Sequence, residues 1–212
     1  MRRLFHILAK ALSTILYPLF IPTYGIALFC YAYHIQVRQL PVIWYVIAIC
    51  VTFLYTCLLP MIGIWILIRQ KRVTDWQIAN SKERTLPYML TSIGFALWCH
   101  LMFNTLDAPP YICWPVLGAT IAIFIVAVIN HAWKISAHLT AFGGLLGGLL
   151  CFCLGVGILP SWGVLAGWLG LTLLLMYARL FLDAHTSTQV VAGWLLGLIC
   201  TLLPYWIYFY VV

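Results

Sequence analysis

Charge is what this sequence has least of. Only 7% of its 212 residues are Asp, Glu, Lys or Arg, and the acidic ones are four: Asp75, Glu83, Asp107 and Asp183. Hydrophobic residues make up 65%, so no water-facing surface can be assembled from the remainder and the bilayer must be the solvent. The eight cysteines (Cys30, Cys50, Cys57, Cys99, Cys113, Cys151, Cys153, Cys200) fall in or beside apolar runs, without the paired spacing of a zinc knuckle or a disulfide framework. They read as buried free thiols, with no metal set among them. The net charge of +7 is carried by Lys and Arg that form no stripe and match no nucleic-acid motif, so a phosphate-bearing membrane ligand suits it better than nucleic acid. Met1-Arg2-Arg3 opens onto apolar residues, yet no small-residue cleavage site precedes the next run, and we expect an uncleaved N-terminal region.

A helix that crosses a bilayer needs about 20 mostly apolar residues, because each backbone polar group must be satisfied within its own segment. The charge-poor runs predict spans over residues 12–33, 41–68, 87–103, 110–130, 138–159, 162–178 and 188–210. The expected fold is all-α: a polytopic transmembrane helix bundle of six to seven spans, forming one domain over residues 1–212. Pro18, Pro22 and Gly25 interrupt the first run, and a broken or interfacial helix there leaves six.

The polar residues gather in three clusters. The first runs from Arg69 to Arg84 and includes Lys71, Arg72, Lys82 and Glu83; the second, from His131 to His138, includes Lys134 and Ser136. The third, from Arg179 to Gln189, includes Asp183 and His185. Two spans separate each cluster from the next, and an even number of crossings returns the chain to one face, so all three belong to the same side. Ten of the eleven Lys and Arg fall on that side against Arg38 opposite, which by the positive-inside rule predicts a cytoplasmic face, with a bacterial inner membrane as the expected location. Ordinary wet loops account for Arg69, Lys71 and Arg72. Arg84, Ser136, His138, Arg179 and His185 sit at span edges, where charge is costly and commonly functional.

Two local patterns carry chemistry. His185, Gln189, Gly193 and Gly197 recur every four residues, placing an imidazole, an amide one turn deeper and two small residues on one helix face. Lys134-Ile-Ser136-Ala-His138 places a hydroxyl and an imidazole at the mouth of a glycine-rich helix, whose N-terminus favours phosphate. Taken singly, each residue has a plainer role: Ser136 as a helix cap, Lys82 and Lys134 as surface anchors, Gln189 as interhelical glue, and the glycines 143–148 as packing. His100 reads as structural.

In order and spacing these clusters resemble the type 2 phosphatidic acid phosphatase family, integral membrane relatives of vanadium haloperoxidases and acid phosphatases. Arg179 and His185 keep the spacing of the family's third motif, with Ala178 where that motif has Ser and Gln189 where it has Asp. Ile135-Ser136-Ala137-His138 stands for its Pro-Ser-Gly-His, and Lys82-Glu83-Arg84-Thr85-Leu86-Pro87 compresses its first motif. The resemblance covers about residues 70–200 and implies an acid phosphatase-like helical core and a metal-independent, cofactor-free hydrolase of lipid phosphates or diphosphates. It further implies that His185 attacks phosphorus, that His138 protonates the leaving oxygen, and that Arg84, Lys82, Ser136 and Arg179 hold the phosphoryl oxygens, with Lys134 able to join them. Gln189 orients His185 without adding charge; a loop conformation would let Asp183 serve in its stead. A phosphotransferase of the same fold, a catalytically silent lipid-phosphate binder or transporter, and a bis-histidine haem protein using His100, His138 and His185 are the alternatives.

Overall fold

Apolar runs with no polar partner outside themselves have one economical solution, the helix, and among the described residues of the computed structural model (2–36, 40–76, 78, 80 and 83–211) every long element is helical. In chain order these are α1 (Arg2–Ile15), α2 (Ile21–Gln36), α3 (Val42–Phe53), a π-helical turn (Leu54–Leu58), α4 (Leu59–Arg69), α5 (Thr85–Asn104), α6 (Pro110–Ile129), α7 (Ala137–Val156), α8 (Trp162–Phe181) and α9 (Ser187–Val211). Helices α3 and α4 and the turn between them form one continuous rod, Val42–Arg69. That rod and α5 to α9 give six helices long and apolar enough to cross a membrane. The chain is an integral membrane protein.

The π turn has an identifiable cause. Pro60 has no N–H to donate and its ring crowds the preceding turn, so the ladder widens and Leu59 N–H bonds Leu54 O. The displaced carbonyl of Tyr55 then faces Gly94 of α5, where a Cβ would lie 2.5 Å from it.

The run at residues 12–33, expected as a single span, is two helices separated by a bend at 16–20. Pro18 and Pro22 are the reason, since the residue before a proline is pushed out of helical geometry. In α1, Arg2, Arg3, His6 and Lys10 fall on one side and Leu4, Phe5, Ile7, Leu8 and Ile15 on the other, and only Ala9 and Ser13 are buried. An apolar stripe that the protein leaves uncovered is the pattern of a helix lying in the membrane interface. Helix α2 then runs from Ile21, packed with Leu139 and Phe142 near the start of α7, to Tyr33, against Tyr111 at the start of α6. It therefore leads away from the face that holds α1.

The bundle is tightest between α7 and α9. A Cβ on Gly143 would strike the Trp194 carbonyl and one on Gly197 the Thr140 carbonyl; at Gly193 it would lie 2.6 Å from the Ser136 carbonyl. Glycine at these positions is what lets the two backbones touch, the mode of close packing used in lipid, where burial of apolar surface supplies no drive between helices. The Gln189 carbonyl accepts the Ser136 N–H at 3.3 Å, locking the mouths of the two helices together. The second and third polar clusters are thereby held side by side.

Candidate active site

The first polar cluster is shaped by hydrogen bonds within its own loop. Glu83 accepts from the Thr74 N–H at 2.7 Å, from the Thr74 hydroxyl at 2.8 Å and from Asn80 Nδ2 at 3.0 Å, and the Thr74 donors hold its carboxyl below the usual carboxylate range. Folded this way, the loop turns Arg84 inward, 6% exposed, and Arg84 Nε donates to the Ile78 carbonyl at 2.7 Å. Lys82 lies outside the described residues.

The second cluster begins α7. Ser136 occupies the N-cap position but makes no side-chain capping bond; its hydroxyl is fully buried with no partner among the described residues. The first-turn N–H groups of a helix have no partners within it, so this hydroxyl stands beside further unspent donors. His138, half-buried, has its Nε2 3.0 Å from the Ser13 carbonyl, and the Tyr17 ring meets its imidazole edge-on at 5.8 Å.

The third cluster links α8 to α9. Arg179, in the last turn of α8, has a buried Nε with no partner among the described residues. His185 precedes α9 and is 8% exposed, and its Nδ1 lies 3.2 Å from Gln189 Oε1, which also accepts the Thr186 N–H at 3.1 Å. With Nδ1–H donated to the amide oxygen, Nε2 carries the ring's lone pair. Asp183 is exposed, in the left-handed region at φ 49, and Gln189 alone fills the orienting role for His185 among the bonds the structure shows.

Arg84, His138, Arg179 and His185 line one pocket together with Tyr17, Tyr88 and Ile78. Clusters separated by helix pairs thus share a face, as the count of crossings requires, and converge there. Lys134 stands close enough for Arg84 and Arg179 to add to the effect of burial, which comes first, in pushing its ammonium below the ordinary lysine range. His185 is pushed down to about 4, first by burial and then by Arg179 and Arg84, so its imidazole is neutral near pH 7. A pocket that gathers two guanidinium groups, one with a buried and unpartnered nitrogen, can receive an oxyanion, and a neutral imidazole lines the same pocket; the Ser136 hydroxyl, expected to help hold the phosphate, is fully buried and does not line it.

Ser13, Tyr17 and Tyr88 were not apparent from the sequence. Tyr88 lies four residues after Arg84, one turn away on a helical face, and that spacing was the available signal; nothing local marked Ser13 or Tyr17. The haem alternative loses a ligand. His100 is exposed and bonded to Asn104, sixteen residues past Arg84 and so about 24 Å along α5 from the pocket. Among the described residues no three His, Cys, Asp or Glu cluster as a metal site. No family model, curated protein or solved structure matches this chain.

Proposed function

We propose that this protein is a membrane-embedded lipid phosphate or diphosphate phosphatase of the type 2 phosphatidic acid phosphatase kind. The observation that carries the reading is the convergence of Arg84, His138, Arg179 and His185, from three distant stretches of chain, on one pocket in which Arg179 Nε is buried without a partner among the described residues.

Each residue then has a task. Arg84 and Arg179 bind the non-bridging oxygens, spreading the charge that develops in phosphoryl transfer; Lys134 adds positive potential. His185 Nε2 attacks phosphorus in line, a P–N bond forms as the P–O bond to the lipid breaks, and His138, held as the imidazolium beside the bound anion with its Nε2–H on the Ser13 carbonyl, gives its Nδ1 proton to the leaving oxygen. Water then attacks the phosphohistidine and returns a proton to His138, releasing phosphate. The Gln189 amide keeps His185 in the required tautomer throughout.

Gln189 also supports a second reading. A neutral amide orients the imidazole without offsetting the positive charge that the ring gains in the intermediate, as expected of a site that binds lipid phosphate without turning it over. For sidedness, we propose the cytoplasm: Arg2, Arg3, Lys10, Arg69, Lys71 and Arg72 lie on the pocket's face without taking part in it, against Arg38, which follows α2 in sequence.

The test is phosphate release by the purified protein from lipid mono- and diphosphates without added metal, beside His185→Ala and His138→Ala. Release lost in both variants supports the phosphatase. Folded protein that binds these lipids and releases nothing supports the silent binder, and phosphate passed to an added alcohol supports a transferase.

A further inference from the structure

The pocket continues inward. Pro18, Leu19, Thr91, Ile123 and Ala137 line both the polar pocket and a second, apolar cavity between α2, α5, α6 and α7. Along α7 this cavity extends from Ala137 to Gly148 and along α6 from Val126 to Ile112, distances of about 16 and 21 Å at 1.5 Å per residue. It therefore passes the midplane of a hydrocarbon layer about 30 Å thick.

Its walls ask nothing of water. The side chains with polar atoms are Thr91, Trp98, Thr140 and Thr201, and each is already engaged. The three hydroxyls donate to the carbonyls of Pro87, Ser136 and Gly197 at 2.8, 3.0 and 2.9 Å, and Trp98 Nε1 donates to Thr52 Oγ1 at 2.9 Å. A cavity without free polar groups stays dry or takes an apolar occupant. Phe29 stands at the far end, stacked on Phe152 at 5.5 Å; a Cβ on Gly148 would lie 3.3 Å from the Phe29 ring, so glycine there lets the ring sit close against α7.

We infer that this cavity holds one hydrocarbon chain of the ligand while its phosphate sits between Arg84 and Arg179, and that Phe29 sets the longest chain accommodated. The inference rests on the phosphate reading of the pocket and narrows the ligand to a lipid phosphate whose chain is drawn inside the protein, out of the surrounding bilayer. Ala141, on the wall midway along, is where added bulk shortens the space.

The probe is a series of n-alkyl phosphonates, from butyl to hexadecyl, whose C–P bond resists hydrolysis, with binding measured by calorimetry at fixed detergent; n-alkyl phosphates of the same lengths report turnover. Affinity is expected to rise with chain length and then level off. Phe29→Ala should move that limit to longer chains, and Ala141→Leu should move it to shorter ones and weaken the longest by about tenfold, with butyl binding unchanged in both as the check that each variant is folded. A limit that ignores both substitutions, with butyl binding intact, overturns the chain cavity while leaving the phosphate site standing. Chain-dependent binding without any turnover upholds the cavity and overturns the phosphatase. If butyl phosphonate itself fails to bind the wild-type protein, both fall.

Discussion

His185 Nδ1 and Gln189 Oε1 lie 3.2 Å apart, one helical turn between them, with the Thr186 N–H fixing the same oxygen at 3.1 Å. The pair sets the direction of the imidazole and supplies no charge. Gln189→Glu keeps the reach and adds a carboxylate, which on the proposed mechanism stabilises the cationic ring formed when Nε2 bonds phosphorus. We expect lipid phosphate turnover to rise about tenfold, the effect of roughly 1.4 kcal/mol in the transition state, while Gln189→Leu loses activity without changing the fold. Steady-state kinetics on one lipid phosphate checks both; a Gln189→Glu enzyme slower than wild type would count against His185 as the nucleophile.

Arg179 and Arg84 offer planar forks where a lysine offers a point charge. Arg179→Lys preserves the sign of the pocket and removes the paired N–H geometry, so phosphate binding is expected to weaken about 10- to 100-fold. The same change at Arg72, an exposed residue of the loop, should leave binding within twofold. Inorganic phosphate titrated against each variant by calorimetry separates the two outcomes.

Backbone contact between α7 and α9 makes a structural prediction independent of chemistry. Gly197→Val drives a side chain into the Thr140 carbonyl and the Gly144 N–H, whereas a Cβ on Gly167 of α8 would meet nothing within 4 Å. Overpacking against backbone costs about 1–3 kcal/mol or more, so Gly197→Val is expected to lower the melting temperature in detergent sharply. Gly167→Ala should leave it unchanged or raise it slightly, through better helix propensity.

Much of this architecture was legible because a bilayer enforces it. The six long helices end within a few residues of the apolar runs, and the sharing of one face by Arg84, His138 and His185 follows from counting crossings. The four-residue spacing of His185, Gln189, Gly193 and Gly197 also kept its meaning, with the amide on the imidazole and the glycines against α7. What stayed hidden depends on contacts distant in sequence. The Ser13 carbonyl reaches His138 across 125 positions, through an amphipathic helix whose apolar side faces away from the protein, and no periodicity encodes that meeting. The apolar cavity was equally invisible, since its walls are the same Ala, Gly, Ile and Pro residues that make up any spanning helix.

The acid side of the pH profile tests the electrostatics of the pocket. An ordinary histidine protonates near 6.5; burial, with Arg179 and Arg84, holds His185 neutral down to about 4. If His185 is the nucleophile as proposed, it remains unprotonated through mildly acidic pH, and no loss of activity attributable to it is expected until pH nears 4. A carboxylate at 189 favours the charged ring, so Gln189→Glu should shift that limb upward. Stability moves in the same sense. The unfolded chain protonates this histidine below about 6.5 while the folded one does not, so its contribution is complete above 6.5 and declines as pH falls toward 4. Melting curves across that window should show a steeper acid decline for wild type than for His185→Gln, whose side chain has no proton to take up; equal slopes would mean that the pocket leaves His185 with ordinary basicity.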